Sequence, residues 1–201
     1  MNALMPPPNL VLASASAART RMLKDAGVDH LCDPADIDEA AVKRNWSGPA
    51  EGLAQKLALE KAQAVSPRHS DALVIGCDQV LALGDDIFDK PGTVQRAKEQ
   101  LKHLRGRKHR LISAVSVVCN GEELWSYYDC ADLTVRNFSD AFLEYYLQRV
   151  GKDVVSSVGA YHLEGIGAQL FDSVNGDFFT VLGLPLMDLM KFLRLRGALA
   201  L

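Results

Sequence analysis

Two cations stand where helical periodicity calls for apolar side chains. At about 100° of turn per residue, a helix over 18–26 sets Arg19 among Met22, Leu23 and Ala26, with Thr20, Arg21, Lys24 and Asp25 on the far side. A helix over 52–65 gathers Leu53, Ala54, Leu57, Ala58, Ala64 and Val65 into one arc, and Lys61 is the only charge in it. A buried cation is costly unless it is paired, so both point inward at something anionic. Ser14 and Ser16 precede Arg19 where a strand gives way to a helix, a place where backbone N–H groups and the helix dipole attract anions. Two hydroxyl donors and a planar guanidinium suit phosphate oxygens. The same spacing equally allows a serine that only caps the helix and an arginine that pairs with a carboxylate.

Asp78 follows the most apolar run of the chain, ALVIGC over 72–77. Ligands of open α/β sheets gather beyond the carboxyl ends of strands, so a carboxylate there is a metal ligand or a base, or else an ordinary turn former. Glu39, in DIDEA, offers a second carboxylate, with Asp36 and Asp38 competing for the role. Lys90, stiffened by Pro91-Gly92, can aim an ammonium at a phosphate or stand exposed. His162 and Glu164, in a glycine-rich stretch, could read a base edge or simply be loop residues. A triphosphate carries roughly −4 and two carboxylates −2; Arg19, Lys61 and Lys90 with one divalent cation supply +5, close to balance. Metal-dependent phosphate chemistry is the coherent expectation.

The elements that must hold these residues can be read in outline. A strand over 9–13 runs into the Arg19 helix, and a second strand covers 28–32 before an acidic stretch and a polar loop, KRNWSG. Pro49 starts the Lys61 helix. The apolar strand then ends at Asp78-Gln79, and a turn at Gly84-Asp85-Asp86 precedes IFDKPG. Thr93 caps a helix that stops near Gly106. Long strands over 111–119 and 123–138 are joined by Asn120-Gly121, a strong hairpin signal. Ser139 caps a helix reaching about Val150; a short strand over 178–181 and a helix from Pro185 complete the chain. Strands alternating with helices, plus one long hairpin, predict an α/β fold with a mixed sheet and a cleft.

Composition excludes several classes of function. The 201 residues, 48% of them hydrophobic, can bury a core in one domain, and a net charge of −3 gives no basic field for nucleic acid or anionic membrane. Cys32, Cys77, Cys119 and Cys130 lack metal spacing and read as reduced thiols of a cytoplasmic protein. The first sixteen residues lack the basic start of a signal peptide, and no run approaches the roughly 20 apolar residues of a membrane span.

Taken in order, LVLASASAARTRML, DIDEA, LALEKA, VIGCDQV, FDKPGT, L-x-x-L-x-G-x-x-H, VGAYHLEGIGA and GDFFTVLGLPL make the chain resemble the Maf family from about Leu10 to Gly197. That resemblance implies a nucleoside triphosphate pyrophosphatase that cuts between the α- and β-phosphates. It implies a fold related to inosine triphosphatases, an elongated mixed sheet flanked by helices around a central cleft, formed by a single domain of two lobes over 1–201. It also implies a divalent cation, Mg²⁺ or Mn²⁺, and a homodimer. Carried over by motif, Ser14, Ser16 and Arg19 hold phosphates, Glu39 and Asp78 bind metal or activate water, and Lys61 and Lys90 grip the triphosphate. An isolated aspartate of pKa near 3.9 is a poor base for water of pKa about 15.7, and a bound cation narrows that gap. Gln79, after the catalytic aspartate, and Glu164 resemble the branch favouring 7-methyl-GTP, where a carboxylate can accept from the N–H edge of guanine. The alternatives are hydrolysis of inosine-type or other modified triphosphates, and a non-catalytic nucleotide-binding regulator of septum formation.

Overall fold

A computed structural model describes residues 8–199, leaving the proline-rich lead and the last two residues outside the description. The sheet is mixed and seven-stranded, in the order β2-β1-β3-β5-β6-β7 with β4 also on β3. β1 (Leu10–Leu12) lies parallel to β2 (Leu31–Cys32) and to the start of β3 (Leu73–Leu83). From there the pairing is antiparallel: β3 with β4 (Asp86–Phe88) and with β5 (Lys108–Cys119), β5 with β6 (Glu122–Val135), and β6 with β7 (Phe171–Asn175). Asn120 and Gly121 turn the long hairpin with φ of 50° and 83°, the left-handed pair that a tight two-residue loop requires.

Helices cover both faces. α1 (Ala17–Asp25) and α7 (Leu186–Leu195) sit on one face, where Met22, Leu23, Leu189 and Phe192 pack on Leu12, Ile75 and Cys77. Further along that face, α4 (Val94–Leu104) and α5 (Asp140–Val150) pack Leu101, Leu104, Leu143 and Tyr146 with Leu81 and Leu111. Between Cys77 in the first cluster and Leu81 in the second, β3 presents Gln79 on this face, so the apolar layer is interrupted there. The opposite face takes α3 (Ala50–Val65), whose Leu57, Ala58, Ala62 and Val65 meet Val74, Val80 and Ala114. Among the described residues no helix is long and apolar enough to cross a membrane.

The short strands β4 and β7 are unexpected, and three further elements differ from expectation. The apolar strand does not end at Asp78-Gln79 but runs on to Leu83, because β5 pairs with it from Val74 to Ala82. Residues 178–181 form not a strand but a helical turn, α6 (Phe178–Val181). Asp177 caps it by accepting from Thr180 N at 3.0 Å, and this local bond outweighs the strand preference of Phe-Phe-Thr-Val. The acidic stretch and the KRNWSG loop contain a helix, α2 (Glu39–Arg44), capped by Asp38. No apolar stripe announces it, since none of its residues is buried.

Candidate active site

The cleft opens where β3 lacks a strand partner on one edge. β1 pairs with β3 only as far as Ile75, and β4 pairs with it only from Leu81 onward. Asp78 lies in this gap, in the middle of a strand rather than at its end. Backbone that would otherwise join a ladder is met by a side chain: Arg19 Nη1 donates to the Cys77 carbonyl at 3.0 Å and to Ser14 Oγ at 3.1 Å, and its Nε donates to the Gly183 carbonyl at 2.8 Å. Arg19 is thereby fixed from three sides, and its Nη2 keeps no partner among the described residues. Ser16 caps α1 by accepting from Arg19 N, so the capping alternative holds for this serine, while Ser14 braces the guanidinium. No carboxylate pairs with Arg19 among the described residues.

Lys61 reaches Asp78 because α3 can touch β3. A Cβ on Gly76 would stand 2.0 Å from the Ala58 carbonyl oxygen and 2.7 Å from Ala62 N, so only glycine permits this approach of helix to strand. One turn further along the helix contact, Lys61 Nζ lies 2.6 Å from Asp78 Oδ1 and 2.7 Å from Glu39 Oε1. The ammonium thus bridges two carboxylates and is itself only 12% exposed. Burial pushes the Asp78 carboxyl above its ordinary range, against the pull of Lys61 and Arg19. Glu39 is less buried; there the hydrogen bond from Lys61 and the charges of Lys61, Lys43 and Lys90 overcome desolvation and hold its pKa below the usual value.

These groups face one cleft of about 520 Å³, lined by Ser16, Arg19, Glu39, Lys61, Asp78, Gln79, Lys90, His162 and Glu164, a size within the range of small-ligand sites. Ser14 reaches it through Arg19. Gln79 donates its amide nitrogen to Ser113 Oγ and to the Thr180 and Val181 carbonyls at 3.0–3.2 Å, so only its Oε1 is left for a ligand. Glu164 is engaged by Arg21 at 3.3 Å, and His162 meets Ser156 Oγ at 2.8 Å. Asp36 and Asp38 do not line the cleft, whereas Lys43, Arg44 and Asp89 do. The sequence placed Lys43 and Arg44 in a loop; only the Asp38 cap, with Glu39 after it, signalled the helix that turns them toward the cleft.

A wall of the cleft rests on a buried pair from β5 and the glycine-rich stretch. His109 Nε2 and Tyr161 Oη lie 2.6 Å apart, and Tyr161 lines the cleft. Burial drives the His109 pKa down to about 4, so the imidazole is neutral at pH 7. Ala160, beside Tyr161, is fully buried at φ 58°, a strained conformation of the kind that persists where surrounding structure overdetermines it.

Among the described residues no group of three or more His, Cys, Asp or Glu side chains is placed to hold a metal. The carboxylate pair held apart by one ammonium does fit a cation of the Mg²⁺ type, which takes one or two carboxylates and completes its shell with water and substrate phosphate.

The model of the family described as Maf-like protein matches residues 9–196. The chain belongs to the Maf family. It is 51% identical over 192 residues to a nucleoside triphosphate pyrophosphatase of Paramagnetospirillum magneticum, covering 94% of this chain and 99% of that one. It is 45% identical over 188 residues to a 7-methyl-GTP pyrophosphatase of Brucella abortus, covering 92% and 94%. Among solved structures, a HAM1 protein from Coxiella burnetii aligns with 65% of this chain and 74% of its own at 12% identity and a TM-score of 0.39.

Proposed function

We propose that this Maf-family chain is a hydrolase that converts a nucleoside triphosphate and water into a nucleoside monophosphate and pyrophosphate. The observation that carries the reading is the Lys61 ammonium held between Glu39 and Asp78, 2.7 and 2.6 Å away, in a cleft that Arg19 and Lys90 also line. The names of the relatives from Paramagnetospirillum magneticum and Brucella abortus support it.

Water attacks the α-phosphorus, the bond from that phosphorus to the α–β bridging oxygen breaks, and pyrophosphate departs. Asp78 takes the proton of the attacking water; a carboxyl whose pKa burial raises is a better base than an exposed aspartate. Lys61, Lys90 and the free Nη2 of Arg19 meet the charge that builds on the leaving group, with Ser14 and Ser16 holding the arginine and its helix start in place. Glu39 and Asp78 would hold a divalent cation, Mg²⁺ or Mn²⁺, which supplies charge neutralisation and a lower pKa for water. Lys61, which bridges the two carboxylates, would then be free to turn its ammonium to the phosphates.

For the base we favour 7-methyl-GTP. Glu164 brings an acceptor suited to the N–H edge of a guanine, Gln79 offers its Oε1, and the Brucella abortus relative carries that name. The reading covers one domain over 1–201, acting as a cytoplasmic homodimer without nucleic acid. A panel of unmodified and methylated triphosphates with Mg²⁺ or Mn²⁺, with products identified by mass, tests it. Monophosphate plus pyrophosphate is the expected pair; orthophosphate plus diphosphate would refute the bond assignment. Equal kcat/KM for 7-methyl-GTP and the unmodified nucleotides would refute the base preference.

A further inference from the structure

This chemistry leaves two basic side chains of the cleft unused, Arg44, which is 68% exposed, and the better covered Lys43. Lys43 stands one turn after Glu39 on α2, so the two side chains leave neighbouring positions of one helix face, and both line the cleft with Lys90. Lys43 is three-quarters covered, while its ion-pair partner Asp89 is 70% exposed. Lys43 therefore lies against the cleft wall, and the carboxylate is a solvent-facing group next to Lys90 in the chain. Lys43 and Lys90 both act electrostatically on Glu39, so Lys43 belongs to the cluster of cations around the carboxylate pair. An ion pair whose carboxylate stands in open water is weakly held. A polyphosphate, with more charge and several oxygens per phosphorus, is the stronger partner for the same ammonium.

We propose that Lys43 is a further binding residue for the pyrophosphate half of the substrate, and that Asp89 occupies its ammonium only until that half arrives. The proposal rests on the α–β cleavage reading, since only then does pyrophosphate leave as a unit. Asp89 is then a competitor of the ligand rather than part of its site. Binding exchanges one counter-ion for another at Lys43, so its ammonium always has an anionic partner.

The test is product inhibition by inorganic pyrophosphate and by nucleoside monophosphate, in the wild-type protein and in Lys43→Met, Lys43→Arg and Asp89→Asn. In Lys43→Met, KM and the pyrophosphate inhibition constant should both rise about tenfold, as for loss of one charge-assisted contact. Inhibition by the monophosphate should stay unchanged, and Lys43→Arg should restore most of the loss. Asp89→Asn should move the same two constants the other way, to tighter binding, about twofold. Unchanged pyrophosphate inhibition in Lys43→Met overturns the proposal. So does an equal weakening toward both products, which marks general damage, or an Asp89→Asn that behaves like Lys43→Met, which marks the pair as structural. A wild-type protein that neither releases pyrophosphate nor is inhibited by it overturns the cleavage reading together with this one.

Discussion

Replacing Lys61 by methionine keeps the length of the side chain and removes the one charge that, among the described residues, touches both carboxylates. Asp78, with a side chain 9% exposed, loses its hydrogen-bonded cation 2.6 Å away, while Glu39 is 44% exposed and can turn to water. Breaking a buried pair by removing one partner costs about 3–5 kcal/mol. Arg19, whose charge also acts on Asp78, keeps the expected loss near the lower end, about 3 kcal/mol at neutral pH. For a chain of this size that is a fall in Tm of about 6–12 °C. Without Lys61, burial raises the Asp78 carboxyl further above its unfolded value, so the folded chain holds the proton more tightly than the unfolded one. The loss relative to wild type is then smallest below the ordinary carboxylate pKa and grows as pH rises through the raised one. Urea titrations of both proteins at pH 5 and pH 8, with Lys61→Met/Asp78→Asn as the double variant, measure it. The double variant should recover most of the loss at pH 8. An equal loss at both pH values, unrelieved by Asp78→Asn, would show that the Lys61 ammonium does not compensate the buried carboxylate.

Other outcomes follow from the same contacts. Asp78→Asn should fold and lose about 10²–10⁴-fold in kcat, the weight of a general base, read by pyrophosphate release; near wild-type turnover removes it from that role. Glu39→Gln should raise the Mg²⁺ or Mn²⁺ concentration for half-maximal activity about tenfold, measured by metal titration after chelation. His109 has a folded pKa lowered to about 4, so the stability it contributes is present above about 6.5 and is lost as pH falls toward 4. His109→Gln should flatten that slope by on the order of 3 kcal/mol in urea unfolding across the interval. Gly76→Ala drives a methyl against backbone atoms of α3 and should destabilise by about 4 kcal/mol or more, seen as loss of the cooperative thermal transition.

Much of the site could be read from the chain because a misplaced charge is a local signal. Arg19 and Lys61 broke apolar arcs, and both turn inward in the fold. The Thr93 and Ser139 caps, the Asn120-Gly121 turn and the long hairpin were legible because each is a rule about neighbours in sequence, whereas the spacing left open whether a serine before Arg19 caps or binds. α2 was not, since a six-residue helix with no buried side chain has no periodicity to detect, and Lys43 went unnoticed with it. The strand expected over 178–181 failed because β propensity competed with a cap three residues away and lost.

By itself, the order of residues determined which side chains needed polar partners, because an unpartnered ion has no tolerable place on an apolar face. Only the folded arrangement decided who those partners are. Gly76 lets α3 close on β3, and the gap between β1 and β4 leaves Asp78 and the Cys77 carbonyl without a strand on that edge. Lys61, Asp78 and Glu39 meet from three separate elements, a contact set by strand register and helix approach rather than by any local pattern in the chain.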